Sequence, residues 1–177
     1  MKLSPKLLVI ALAVSAIFLT TTVKAQINPA KAWIIGIGLE TGIPEGNFNI
    51  GSKMTIGGTI RLQYGVSNNF AVTLTSGAYH FISRTNPATG TPYDSFGIIP
   101  VKIGFKEFFI KSLYFGAETG VGFEEDDSGA GPHRFILSPS LGWANKHIDI
   151  GVRYESFSET NGTDGLIGLR IAYGFGL

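Results

Sequence analysis

Residues 148–157 read Ile-Asp-Ile-Gly-Val-Arg-Tyr-Glu-Ser-Phe, and this alternation constrains the fold more than any other feature of the chain. In a β-strand successive side chains point to opposite faces. Ile148, Ile150, Val152 and Tyr154 therefore share one face, and Asp149, Gly151, Arg153 and Glu155 share the other. The pattern recurs along the chain and predicts strands over about residues 33–41, 54–64, 70–81, 96–106, 113–123, 135–143, 148–157 and 166–175. A soluble barrel would show the charged face to water. A barrel in a bilayer encloses the charges and shows the apolar face to lipid.

Two further features favour the bilayer. Lys2 and Lys6 precede an apolar run from Leu7 to Leu19, followed by Val23 and Ala25 at the −3 and −1 positions of a small-residue cleavage pattern. Residues 1–25 are thus expected to be a secretory signal peptide, with Gln26 as the mature N-terminus and residues 26–177 as one β-barrel domain. After this segment no apolar run is long enough for a transmembrane helix. A spanning chain must then close its sheet, because open strand edges cannot be satisfied in lipid.

Composition narrows the partners. Loss of Lys2, Lys6 and Lys24 with the signal leaves 11 of the 14 Lys and Arg against 13 Asp and Glu, a net charge of −2. That balance lacks the basic footprint of a nucleic-acid binder. The absence of cysteine excludes disulfides, thiolate metal sites and a lipidated N-terminal Cys. No cofactor is expected.

The expected connections alternate in length. Short turns at 65–69, 107–112 and 144–147 join alternate strand pairs, and longer loops at 42–53, 82–95, 124–134 and 156–165 join the rest. This is the arrangement of periplasmic turns and outward loops in outer-membrane barrels. Pro100 argues for a bulge or a late start in the fourth strand, and Pro139 interrupts the sixth. Trp33, Tyr64, Phe70, Phe105, Trp143, Tyr173 and Phe175 lie near the short-turn end, and Phe96, Phe123, Phe135 and Tyr154 near the long-loop end, as two interfacial girdles.

The polar faces carry Glu40, Arg61, Lys102, Glu118, Asp149, Arg153, Glu155 and Arg170, four acids and four bases. An eight-stranded barrel is only wide enough for its side chains to fill. These groups are expected to form a structural ion network, with a selective pore as the competing reading. Interior glycines make room for them. Glu124, Glu125, Asp126 and Asp127 open the expected fifth-to-sixth loop as a candidate interaction site for a divalent cation or a basic partner. They lack the alternating spacing of an EF-hand. His80, His133 and His147 stand on separate segments with no i, i+4 partner, so no metal site is expected.

The mature chain resembles the small outer-membrane β-barrel domain family, the eight-stranded barrels similar to OmpA and OmpX transmembrane domains and to PorT-like barrels. The most specific segments are Ile98-Ile99-Pro100-Val101-Lys102 and Gly168-Leu169-Arg170-Ile171-Ala172-Tyr173-Gly174-Phe175. The segment from Gly168 to Phe175 is similar to a final strand read by the barrel assembly machinery, although the chain ends Gly176-Leu177 and not on an aromatic residue. The resemblance implies an eight-stranded antiparallel up-and-down barrel in the outer membrane of a Gram-negative-type cell. Its surroundings would be lipid and lipopolysaccharide, and its role structural or interactive through outward loops, with no open pore. The alternatives are a soluble lipocalin-like binder and a lipid A deacylase-like hydrolase. For the hydrolase, Ser158 stands where a nucleophile would, but Ser156 occupies the position of the His that would activate it. No catalytic residue is expected.

Overall fold

The computed structural model describes residues 30–126, 129–160 and 162–177. The expected signal segment, Gln26 and Asp127 lie outside the described residues. The strands are β1 (Trp33–Glu45), β2 (Ser52–Gly65), β3 (Phe70–Ser83), β4 (Phe96–Ile110), β5 (Leu113–Asp126), β6 (Gly129–Ala144), β7 (Ile148–Glu159) and β8 (Gly162–Gly176). A one-turn helix, α1 (Phe48–Gly51), lies between β1 and β2. Each strand pairs antiparallel with its chain neighbours, and β1 pairs with β8, from Ile34 opposite Gly176 to Glu45 opposite Gly165. The result is a closed up-and-down barrel with no free edge.

The strands run 12 to 16 residues, longer than the alternation predicts. About 9–11 residues suffice to cross a bilayer. Apart from β4, which gains Glu107–Ile110, and single residues at Gly65, Ala144 and Gly176, the surplus lies at the long-loop end. The expected loops over 124–134 and 156–165 are therefore mostly sheet, with β5 pairing β6 up to Asp126 opposite Gly129 and β7 pairing β8 up to Glu159 opposite Gly162. Alternation is hard to see there because polar residues occupy both faces. Pairing nevertheless continues, to Glu159 opposite Gly162 between β7 and β8. The connection from Arg84 to Ser95 remains the long one, pinned by a bridge between Thr85 and Pro92.

Neither proline breaks its strand. Pro100 stands opposite Gly122 of β5, while the ladder to β3 skips from Ser76–Val101 to Tyr79–Ile98 without changing register. Pro139 likewise stands opposite Ala117 of β5, and the ladder to β7 skips from Leu137–Ser156 to Ser140–Arg153. A proline lacks one N–H, so it interrupts the ladder on one side only. The expected bulge at Pro100 is absent. A register shift falls instead between Phe123 and Glu125, opposite the Gly131-Pro132 segment of β6.

The barrel is apolar outside and charged inside. Leu39, Ile60, Ile103, Leu141, Val152 and Ile171 all point outward and are more than half exposed. In water so continuous an apolar surface would be untenable; in a bilayer it is the required face. This geometry excludes a lipocalin-like binder, whose apolar face would line a cavity. At the short-turn end Trp33 packs against Tyr64, Phe70 against Phe105, and Tyr173 against Phe175, with ring centroids 4.7, 5.7 and 4.9 Å apart. Phe123, Phe135 and Tyr154 also face outward. Phe96 does not belong to that girdle. It shares the inward parity of Ile98 and stacks on Phe81 at 4.3 Å.

Candidate functional site

The eight interior charges meet in one closed ring of alternating sign. Lys102 contacts Glu155 (3.0 Å), which contacts Arg153 (2.5 Å), and Arg153 pairs with Glu40. Glu40 contacts Arg170 (3.1 Å), which contacts Asp149 (3.3 Å). Asp149 contacts Arg61 (3.6 Å), Arg61 contacts Glu118 (3.1 Å), and Glu118 returns to Lys102 (3.6 Å). Each charge thus has two partners of opposite sign within the ring. Strand parity turns every one of these groups inward, and seven of them are fully buried, with Asp149 slightly more open.

Neutral groups complete the ring. The Thr75 hydroxyl donates to Glu118 at 2.6 Å, the Thr59 hydroxyl to Glu40 at 2.7 Å, and the Tyr114 hydroxyl to Asp149 at 2.7 Å. Lys102 also donates to the Tyr79 hydroxyl at 3.1 Å. Such satisfaction is what makes buried charge tolerable. Two arginines lie flat over glycines: a Cβ at Gly38 would stand 3.0 Å from Arg170 Cζ, and one at Gly168 would stand 3.2 Å from Arg153 Cζ.

Lys106 joins the network at the short-turn end through a direct ion pair with Asp149. Alternation puts it on the polar face of its strand but does not single it out as an interior charge. A residue near a strand end gives no sign of whether it reaches the lumen or the interface.

Above the ring an apolar layer fills the barrel. Phe48 of α1 packs on Phe81, Phe96 and Phe157, with centroids 5.0, 5.2 and 5.5 Å apart, over Ile98, Ile136 and Leu166. The chain can re-enter there because Gly46 takes a left-handed φ of 70° and the Asn47 N–H donates to Asp164 at 2.7 Å. Arg134 lies over Phe48 at 5.0 Å and contacts Glu124 (2.6 Å), Asp164 (3.5 Å) and Glu159 (3.7 Å). Sequence patterning misses this cluster because its members fall in expected loops. Carrying the parity of Ile136 and Ser138 back by one step is the signal that turns Arg134 inward.

Of the acidic segment, Glu124, Glu125 and Asp126 are therefore strand and not loop. Glu124 and Glu125 lie in β5 opposite Ile98 and Gly97, and Asp126 lies opposite Phe96. Glu124 is bound to Arg134, whereas Glu125 is exposed. The long-loop end is acidic: Glu45, Asp94, Glu124, Glu125, Glu159 and Asp164 outnumber Lys53, Arg84 and Arg134 among the described side chains. No group of three His, Asp or Glu side chains among the described residues is placed to hold a metal. Ser158 shares a hydrogen bond with Thr163 at 3.1 Å. His80 and His133 stand on β3 and β6, and His147 stacks on Tyr173 in the turn before β7.

No family model matches the chain, and no curated protein matches it. Solved structures do. Ail, the attachment invasion locus protein of Yersinia pestis, superposes with a TM-score of 0.58 at 14% identity, covering 83% of this chain and 100% of that one. The N-terminal β-barrel domain of Pseudomonas aeruginosa OprF gives 0.55 at 10% identity, with 82% and 98% covered. Neisserial surface protein A gives 0.51 at 13% identity, again with 82% and 98% covered. The fold is that of the small eight-stranded outer-membrane β-barrels. With its closed sheet, lipid-facing apolar belt and charged lumen, this chain is a barrel of the outer-membrane type.

Proposed function

We propose that this protein is a sealed outer-membrane barrel whose role is structural or interactive, exercised at its outward rim and not through its lumen. The observation that carries this reading is the filled interior: a closed ion ring capped by the aromatic layer around Phe48. Residues 1–25 serve as the export signal, and intact-mass analysis of envelope protein should find Gln26 at the N-terminus. The belt contacts lipid and lipopolysaccharide, and the alternation of β8 is the feature that the barrel assembly machinery would read.

The charge of the rim narrows the partner. Ail has been solved in complex with the heparin analogue sucrose octasulfate. An acidic rim does not suit such a polyanion. It favours a basic protein surface, because complementary charge steers encounter and selects partners.

The test compares envelopes carrying wild-type protein with those carrying Glu125→Gln/Asp126→Asn or a shortened 84–95 connection. Both changes lie outside the ion ring and should leave the barrel folded. Loss of a co-purifying basic partner supports rim binding, and unchanged partners reject it. Ser158→Ala belongs in the same comparison, because a lipid A mass change that depends on Ser158 would favour the hydrolase.

A further inference from the structure

Positive charge at the short-turn end is not spread evenly. The turn Val66-Ser67-Asn68-Asn69 carries none. Lys111 stands in the β4–β5 turn and Lys146 in the β6–β7 turn. These two turns are tied together, because the Ala144 N–H donates to the Ser112 carbonyl at 2.8 Å. Both lysines are exposed, and neither turn holds an acid. Lys146 also borders the end of the lumen, but Asp149 there is already held by Lys106, Arg61 and Arg170. Glu107 on the outer face of β4 accepts from Asn69 Nδ2 at 2.6 Å, on the β3 side. Neither lysine has a carboxylate partner among the described residues.

An open apolar groove rises from these turns along the outer wall. Leu113, Leu141, Ile150 and Val152 line its lower part, about 360 Å³. Leu141 and Val152 are shared with an upper part of about 460 Å³ that continues to Pro139 and Tyr154. The hollow has a cause in the sequence. Ala117 and Pro139 stand opposite each other on β5 and β6, both outward by parity, so two small side chains interrupt a belt of larger ones. From Ile150 to Tyr154 the groove runs about 13 Å along the strand. That length fits within one leaflet, half of a hydrocarbon core about 30 Å thick.

We propose that this wall holds one anionic diacyl phospholipid from the leaflet that surrounds the short turns. One acyl chain lies along the groove, and the headgroup phosphate sits between Lys111 and Lys146. A lysine stem lies readily on apolar surface while its ammonium reaches the headgroup layer. The site sharpens the lipid contact proposed for the belt, and its leaflet rests on the long-loop rim facing outward.

Native mass spectrometry of the full folded barrel in detergent, titrated with phosphatidylglycerol or phosphatidylcholine of identical chains, tests the site. One phosphatidylglycerol should be retained in preference. A basic residue at a membrane surface strengthens binding to anionic lipid about fivefold, so two lysines should give a preference of roughly 25-fold. Lys111→Gln/Lys146→Gln should fold, because both residues lie outside the strands, and should lose that preference. Lys31→Gln, at the same end but ahead of β1, should keep it. Val152→Trp fills the groove with another apolar side chain and should release the lipid with both lysines in place. Equal retention of the two lipids by wild type overturns the proposal. So does a preference that survives the double lysine variant or falls equally in Lys31→Gln, and so does retention unchanged in Val152→Trp. The chain has no cysteine, so Lys111→Cys gives a single thiol. Its labelling by an impermeant reagent in intact cells would overturn the leaflet and the outward-rim reading together, whereas loss of the lipid preference alone would leave that reading standing.

Discussion

Lys102 on β4 and Glu155 on β7 meet at 3.0 Å with essentially no solvent access to either side chain. Their strands are not sheet neighbours, so this pair ties two walls of the barrel through its interior. Glu155→Gln or Lys102→Met alone should cost about 3–5 kcal/mol, because the remaining charge is left buried without its partner. The combined variant should cost less than the sum of the two. Equilibrium unfolding in detergent or lipid measures all three, and strict additivity would mean that the pair is not coupled.

Tyr114 of β5 reaches Asp149 by lying across a glycine of β6 and one of β7. A Cβ at Gly142 would run into the Tyr114 ring, and one at Gly151 would stand 2.7 Å from its hydroxyl. Gly142→Ala should therefore displace the ring and cost about 1–3 kcal/mol. Tyr114→Phe should cost about 1.5–3 kcal/mol through loss of a hydrogen bond to a charged acceptor. The same unfolding assay reads both, and a neutral Gly142→Ala would show that the ring does not need the glycine floor.

Val152 and Leu169 are paired across β7 and β8 and point into the apolar belt. Arg at either position should cost about 2–4 kcal/mol near the bilayer midplane and reduce assembly into membranes. Arg at Leu177, beyond the last strand, should cost far less. Folding yields in lipid vesicles separate these outcomes; equal yields for Val152→Arg and wild type would reverse the assignment of faces.

How much of the barrel is legible in the sequence follows from what each residue faces. Ile148 to Glu155 show the barrel plainly because one face meets lipid and the other a charged lumen, so chemistry alternates with every residue. The ring can be named in advance for the same reason: each member sits mid-strand, where parity alone sets direction. Glu124, Arg134 and Asp164 are not legible, because above the bilayer both faces tolerate polar residues and the strand resembles a loop. Phe96 is misplaced by sequence alone, since an aromatic near a strand end suits either an interface or a lumen cap. The approach of Phe48 cannot be read at all, because it depends on α1 folding back between β1 and β2.

The central claim is that the ion ring and the Phe48 layer seal the lumen. Purified wild-type barrel in planar bilayers tests it most directly. The account predicts no large, steady ohmic conductance, since eight strands leave no channel once their side chains are packed. A stable conductance of porin size in the wild-type protein would contradict it.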